Sequence, residues 1–213
     1  MKKIMFNDKY GLTRAVLEGR KTQTRRIAYT GNATIIDCGI CVEPKNIGRA
    51  TLFRGIDEIA HSRYCIGEEV AVAQSYKDIH AEILRVDVNL ELKQELLNSK
   101  GYTNKMFVRA DKMLHRIRIT DIRAERLQEI SDEDCLAEGI CPSDQRATLW
   151  CVAPINDYKC SGIEYDHSIF GDGPWHLHPD AKAAYADLID HISGKGTWAS
   201  NPYVFVYEFE MID

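Results

Sequence analysis

At 213 residues, with 45% hydrophobic and 28% charged residues, the chain has the make-up of an ordinary globular protein, and its length favours one decorated domain spanning 1–213. The net charge of −5 argues against a protein that coats nucleic acid by bulk attraction, though a local basic site works inside an acidic protein because fields fade over about 8–10 Å at physiological salt. Seven irregularly spaced cysteines make a full disulfide framework a poor expectation; no apolar run approaches the roughly 20 residues that span a bilayer, and MKKIMFNDKY lacks a signal-peptide core, so reduced thiols in a cytoplasm and no membrane partner are expected.

In chain order, residues 2–6 read as a short strand, and Asn7 as the cap of a helix running to about Glu18, with Val16 and Leu17 inward and Gly19 ending it. The polar segment Arg20-Lys-Thr-Gln-Thr-Arg-Arg26 follows. From Tyr29 to Tyr64 the periodicity dissolves into Gly, Asn, Asp and Pro, which predicts an irregular insertion over about 29–64. Gly67 to Ala73 is a turn feeding a strand; residues 82–88 read as a strand, 91–98 as a short helix and Met106–Val108 as a strand. Leu114 to Ile122 alternates Arg116 and Arg118 against Ile117 and Ile119, the signature of a half-buried strand. Ser131 with Asp134 three residues on predicts a capping box, Ile130 and Cys135 a hydrophobic staple, and Gly139 the helix end. A second irregular insertion is expected over about 141–179. Asp180 to Ser193 reads as a helix with Ala184, Tyr185, Leu188, Ile189 and Ile192 on one stripe, and Val204 to Glu210 as a closing strand. Repeats and low-complexity tracts are absent from the sequence. Strands mixed with short helices point to an α+β fold, and closing the strands into a barrel would remove exposed edges.

Two features carry chemistry. Arg20, Lys21, Arg25 and Arg26 form one basic cluster, and Arg116, Arg118, Arg123 and Arg126 another; both suit phosphate, while Thr22 and Thr24 add hydroxyls. Strict strand alternation would put Lys21 and Thr24 on opposite faces, so their cooperation requires a bend between them. Glu138 falls in the last turn of the Ser131 helix, where the helix dipole disfavours a carboxylate by roughly 0.3–1 kcal/mol. A solvent-facing glutamate would tolerate that cost, and a cation nearby, Lys21 or an arginine, would offset it.

Gly19-Arg-Lys-Thr-Gln-Thr-Arg25, Gly67-Glu-Glu-Val-Ala-Val72, Ile117-Arg-Ile-Thr120, Leu127-Gln-Glu-Ile130 and Ala137-Glu-Gly139 together resemble the ASCH domain, whose fold is a small PUA-like β-barrel flanked by short helices. Gly196 to Pro202 followed by Val204 to Phe209 resembles the end of its larger, phage-associated members. The resemblance implies an RNA-binding barrel. It also implies kinship with small hydrolases that cleave N4-acetylcytidine to cytidine and acetate with a lysine, a threonine and a glutamate, which match Lys21, Thr24 and Glu138. The larger members carry an Arg-Glu pair and a tryptophan after the valine strand; here those places hold Ala73, Gln74 and Tyr76.

The resulting expectation is a domain binding RNA or a modified nucleoside in a basic pocket, with no cofactor. The pocket would be formed by Lys21, Thr24 and Glu138 as a candidate catalytic set, with Arg20, Thr22, Arg25, Arg26, Gln74, Arg118, Trp198, Asn201 and Tyr203 binding the ligand. Trp198 could stack a base and Asn201 read its edge, or the loop could brace the last strand. The alternatives are an amidohydrolase of N-acylated pyrimidine nucleosides, and a phage or mobile-element protein that binds a host protein. Cys38-Gly-Ile-Cys41 with His61 and Cys65 has zinc-like spacing, but unpaired thiols are the expectation.

Overall fold

A computed structural model describes residues 1–28, 40–42, 50–54, 57–83, 98–143, 146–151 and 178–212. Five strands make the main sheet: β1 (Lys2–Ile4), β2 (Gln23–Ile27), β6 (Glu69–Val72), β7 (Arg116–Arg126) and β10 (Tyr203–Met211), in the order β1-β6-β7-β10-β2. Only the β1–β6 pair is parallel. The α+β expectation holds. The closed barrel does not: among the described residues the sheet is open, with β1 and β2 as its edges. The cause is local. β1 is three residues long and leaves the sheet at Met5, so no ladder reaches β2. A side chain crosses the seam instead, the Arg26 Nη2 donating to the Met5 carbonyl at 2.5 Å.

The two insertions are less irregular than expected. β3 (Ile40–Val42), β4 (Ala50–Arg54) and β5 (Asp57–His61) form an antiparallel sheet, and β8 (Cys141–Ser143) pairs with β9 (Arg146–Cys151). Strands this short never accumulate enough alternation to stand out from their Gly- and Asn-rich surroundings.

Helix signals read well where a capping side chain exists. Asn7 accepts from Lys9 N, but Gly11 at φ +64° splits the expected helix into a 3-10 turn (Asp8–Tyr10) and α1 (Leu12–Leu17). Val16 is buried as expected, whereas Leu17 turns outward and Leu12 and Ala15 complete the inner face. Ser75 and Asp78 bond reciprocally and start α2 (Tyr76–Ile83), so residues 82–83 end a helix and do not begin a strand. Residues 84–88, and all but the last residue of the helix expected over 91–98, lie outside the described residues. Met106 and Phe107 belong to a 3-10 turn (Lys105–Phe107) capped by Asn104, which overrides the apolar triplet that reads as a strand.

Ser131 accepts from Asp134 N at the start of α3 (Asp132–Ala137), and Ile130 and Cys135 are both fully buried. The helix α4 (Ala181–Ser193) is capped by Asp180 and buries Ala184, Tyr185, Leu188 and Ile189 against the sheet, with Ile192 partly buried beside them. A short helix α5 (Thr197–Ser200) leads into β10. On β7 the burial phase slips: Ile117 and Ile119 are buried, then Ile122 and Ala124. Opposite them Glu208 pairs with Asp121 and Phe209 with Ile119, leaving Thr120 as an extra bulged residue that restores the core face. Among the described residues no helix is long and apolar enough to cross a membrane.

Candidate active site

The chain reverses after α1 at Gly19, whose φ of +71° is the left-handed geometry that favours glycine. The Arg20 and Lys21 amides both donate to the Ala15 carbonyl, and Thr22 N donates to Ala137 O, which docks this turn on the end of α3. Lys21 therefore precedes the strand: β2 starts at Gln23, and the alternation that would oppose Lys21 to Thr24 does not apply.

Lys21 is 2% exposed and Glu138 4%. Lys21 Nζ donates to Glu138 Oε2 at 2.5 Å and to the Glu138 carbonyl at 2.8 Å. Gly139, at φ +101°, turns the chain so that both acceptors of Glu138 face the lysine. Arg25 Nη1 reaches the other carboxylate oxygen, Oε1, at 3.3 Å. The cation that offsets a carboxylate at a helix C-terminus is thus a lysine joined by an arginine.

Lys21, Thr24, Arg25, Arg26 and Glu138 line one cleft of about 740 Å³, within the usual size range of small-molecule sites. It lies along the free edge of β2. Its far wall is the apolar stripe of α4, with Tyr185, Leu188, Ile189 and Ile192, and its floor includes Phe6 and Leu12. Lys21 Nζ and Arg26 Cζ stand 5.8 Å and 5.9 Å from the Phe6 ring centroid. Thr24 is 4% exposed as a residue, and its hydroxyl makes no hydrogen bond among the described residues.

Electrostatics divide the cations by role. The Arg25 side chain is 0% exposed and is held by Glu125 at 2.7 Å, Asp134 at 2.6 Å, Gln23 and Glu138. That makes it a fixed internal cation. Arg123 joins Asp134 and Glu208 to the same network. Burial pushes the Lys21 ammonium below its ordinary pKa of 10.5; Glu138 pulls it back, and Arg26 and Arg25 add to the fall. Burial, with Glu138 adding to it, drives the Tyr185 phenol well above 10, so its O–H stays a donor in the cleft wall. The neighbouring Cys135 thiol is pushed up to about 12 by burial and is no thiolate nucleophile.

The other expected ligand residues lie elsewhere. Arg20 pairs with Glu18 at 2.8 Å, and Thr22 is exposed beyond the turn. Gln74 accepts from Leu114 N and is structural. Arg118 is exposed and pairs with Glu69 and Glu210 across the strands. Trp198 packs edge-on against Tyr185, Asn201 accepts from Gln128 N, and Tyr203 lies under Arg126 at 3.9 Å. The Trp198–Tyr203 loop braces β10 and does not line the cleft; Asn201 Oδ1 and Ser200 Oγ already have local partners, which reading by residue type cannot reveal. Cys38 lies outside the described residues; Cys65 is a free thiol, His61 Nδ1 meets Thr51 Oγ1 at 3.1 Å, and the described residues hold no metal-ligating cluster.

Sequence reasoning missed Phe6, Tyr185 as a cleft residue, and Lys105. Lys105 Nζ donates to the Phe6 carbonyl at 2.5 Å, Asp8 Oδ1 at 2.7 Å and Thr13 Oγ1 at 3.1 Å, tying the cleft's rim together. Tyr185 carried a signal: it is the one residue with a polar tip on an otherwise apolar helical stripe. Comparisons of the chain with protein-family models, curated proteins and solved structures found no match.

Proposed function

We propose that the chain is an ASCH-type protein whose cleft binds a nucleoside-sized ligand and hydrolyses an N-acyl amide on its base. The observation that carries this reading is the convergence of Lys21, Thr24 and Glu138, from a turn, a strand and a distant helix end, on one cleft. In this reading Thr24 Oγ attacks the amide carbonyl carbon and its proton passes to Lys21 Nζ. A neutral lysine amine has two N–H groups and one lone pair. Both N–H groups have acceptors on Glu138, so the lone pair is left to take the proton. The same proton then goes to the departing amine, and water cleaves the threonine ester to release the carboxylic acid. Glu138 positions the amine, and Arg25 holds Glu138.

Incubation with N4-acetylcytidine and other N-acylated nucleosides tests this, with acetate release as the readout. Turnover should fall by about 10²–10⁴-fold in Lys21→Ala and Thr24→Ala, the range for lost acid–base or nucleophilic groups. Equal rates in wild type and both variants reject it. A general RNA-binding face has less support, because Arg20, Arg25, Arg118 and Arg123 are all engaged by carboxylates.

A further inference from the structure

A second hollow of about 360 Å³ adjoins the cleft and shares Met5, Arg26 and Ile27 with it. The two meet at the seam between β1 and β2. The linings differ in kind. The cleft contains Asp8 and Glu138, whereas the smaller hollow is lined by Lys3, Arg26, His61, Arg63, Tyr64 and Tyr207 with Met5, Ile27 and Phe205, and by no described carboxylate.

The cations differ as well. Lys3 Nζ is committed to the carbonyls of Lys105, Met106 and Val108. Arg26 gives one of its five N–H groups to the Met5 carbonyl and pairs with no carboxylate among the described residues. Arg63 is exposed, lies 5.7 Å from the Tyr64 ring centroid, and likewise pairs with no described carboxylate. Tyr207 accepts from the Arg63 amide at 2.8 Å, so its own O–H proton is available to a further acceptor. Two guanidinium groups beside phenols, with no carboxylate among the described lining residues, form a receptor for a phosphate oxyanion.

We infer that the substrate carries a phosphate: the smaller hollow receives a phosphomonoester on the sugar of a nucleoside whose acylated base occupies the cleft. The base assignment rests on the hydrolytic reading above, while the anion site rests on its own residues. A single phosphate fits better than a strand of RNA. Tracking a strand takes a run of free cations, and here two serve one hollow in a chain of net charge −5.

Calorimetric titration of the whole chain with cytidine, cytidine 5′- and 3′-monophosphate and a short cytidine oligonucleotide tests this, on wild type and Arg63→Gln. Arg63 is exposed, so the variant is expected to fold, with thermal unfolding as the check. One monophosphate should bind at least about tenfold tighter than cytidine, an advantage that added salt and Arg63→Gln both abolish while cytidine binding stays unchanged. Equal affinity for nucleoside and nucleotides, an advantage that survives Arg63→Gln, or no binding of any probe overturns the inference. So does affinity that climbs with every added nucleotide, which would mark a strand-binding groove. Loss of the Thr24-dependent turnover alone rejects the hydrolytic reading and leaves the Arg63-dependent phosphate preference standing.

Discussion

Lys21 donates to the Glu138 carboxylate at 2.5 Å from 117 positions away, and neither side chain is more than 5% exposed. A buried pair of this kind costs more to break than it contributes when whole, because the survivor is left charged in a medium that solvates it poorly. Glu138→Ala strands Lys21 and Arg25 together. Its expected cost is about 3–5 kcal/mol, read by denaturant unfolding. Lys21→Met with Glu138→Gln should recover most of that loss in stability and none of the turnover.

Lys21 should set an ascending limb in the pH profile of kcat/KM. The folded chain releases the Lys21 proton below 10.5, where the unfolded chain still holds it, so unfolding free energy rises with pH between the two values and levels off above 10.5. The rate rises through the lower value because only the neutral amine accepts a proton. Arg26 contributes to the lowering, so Arg26→Gln should move the limb to higher pH. A limb unchanged in that variant would show that Lys21 is not the titrating base.

Arg25→Lys keeps the charge but not the fork that meets Glu125, Asp134 and Glu138 together. A loss of about 1.5–3 kcal/mol is expected for each charged hydrogen bond that a single ammonium cannot replace. Thermal unfolding measures it, and a variant as stable as wild type would contradict the role given to this side chain.

Trp198→Ala separates bracing from binding. Its ring packs on Tyr185 outside the cleft, so stability should fall by about 1–3 kcal/mol while ligand affinity stays within a factor of two, on the order of a neutral change. A large loss of affinity at unchanged stability would place the loop in the site after all.

What could be read from the chain depended on how local its cause was. Asn7, Ser131 and Asp180 announce helix starts because their side chains bond backbone a few residues away. Arg116 to Ile119 alternates because one face meets the core. The seam between β1 and β2, the strands within 40–61 and the split at Gly11 depend on distant packing or on single turns, which leave no periodic trace. At the site, Lys21, Thr24 and Glu138 came from a motif resemblance, and Arg26 from its place in a basic run. Arg20 and Arg118 have the same chemistry as Arg26, but Glu18 and Glu69 engage them elsewhere, and no count of arginines distinguishes those destinations.

The bulge at Thr120 marks the point where β7 can absorb a change of length. The first three residues of this strand pair with β6 and residues 117–126 run beside β10, and a single surplus residue is bulged out so that Ile117, Ile119, Ile122 and Ala124 share the same inner face. Without Thr120, Ile117, Ile119, Ile122 and Ala124 would stand at strict two-residue spacing opposite Met211, Phe209, Tyr207 and Phe205, so the strand would pair without a bulge and keep the same inner face. β7 therefore accommodates either parity at this point, with one surplus residue bulged out or with none.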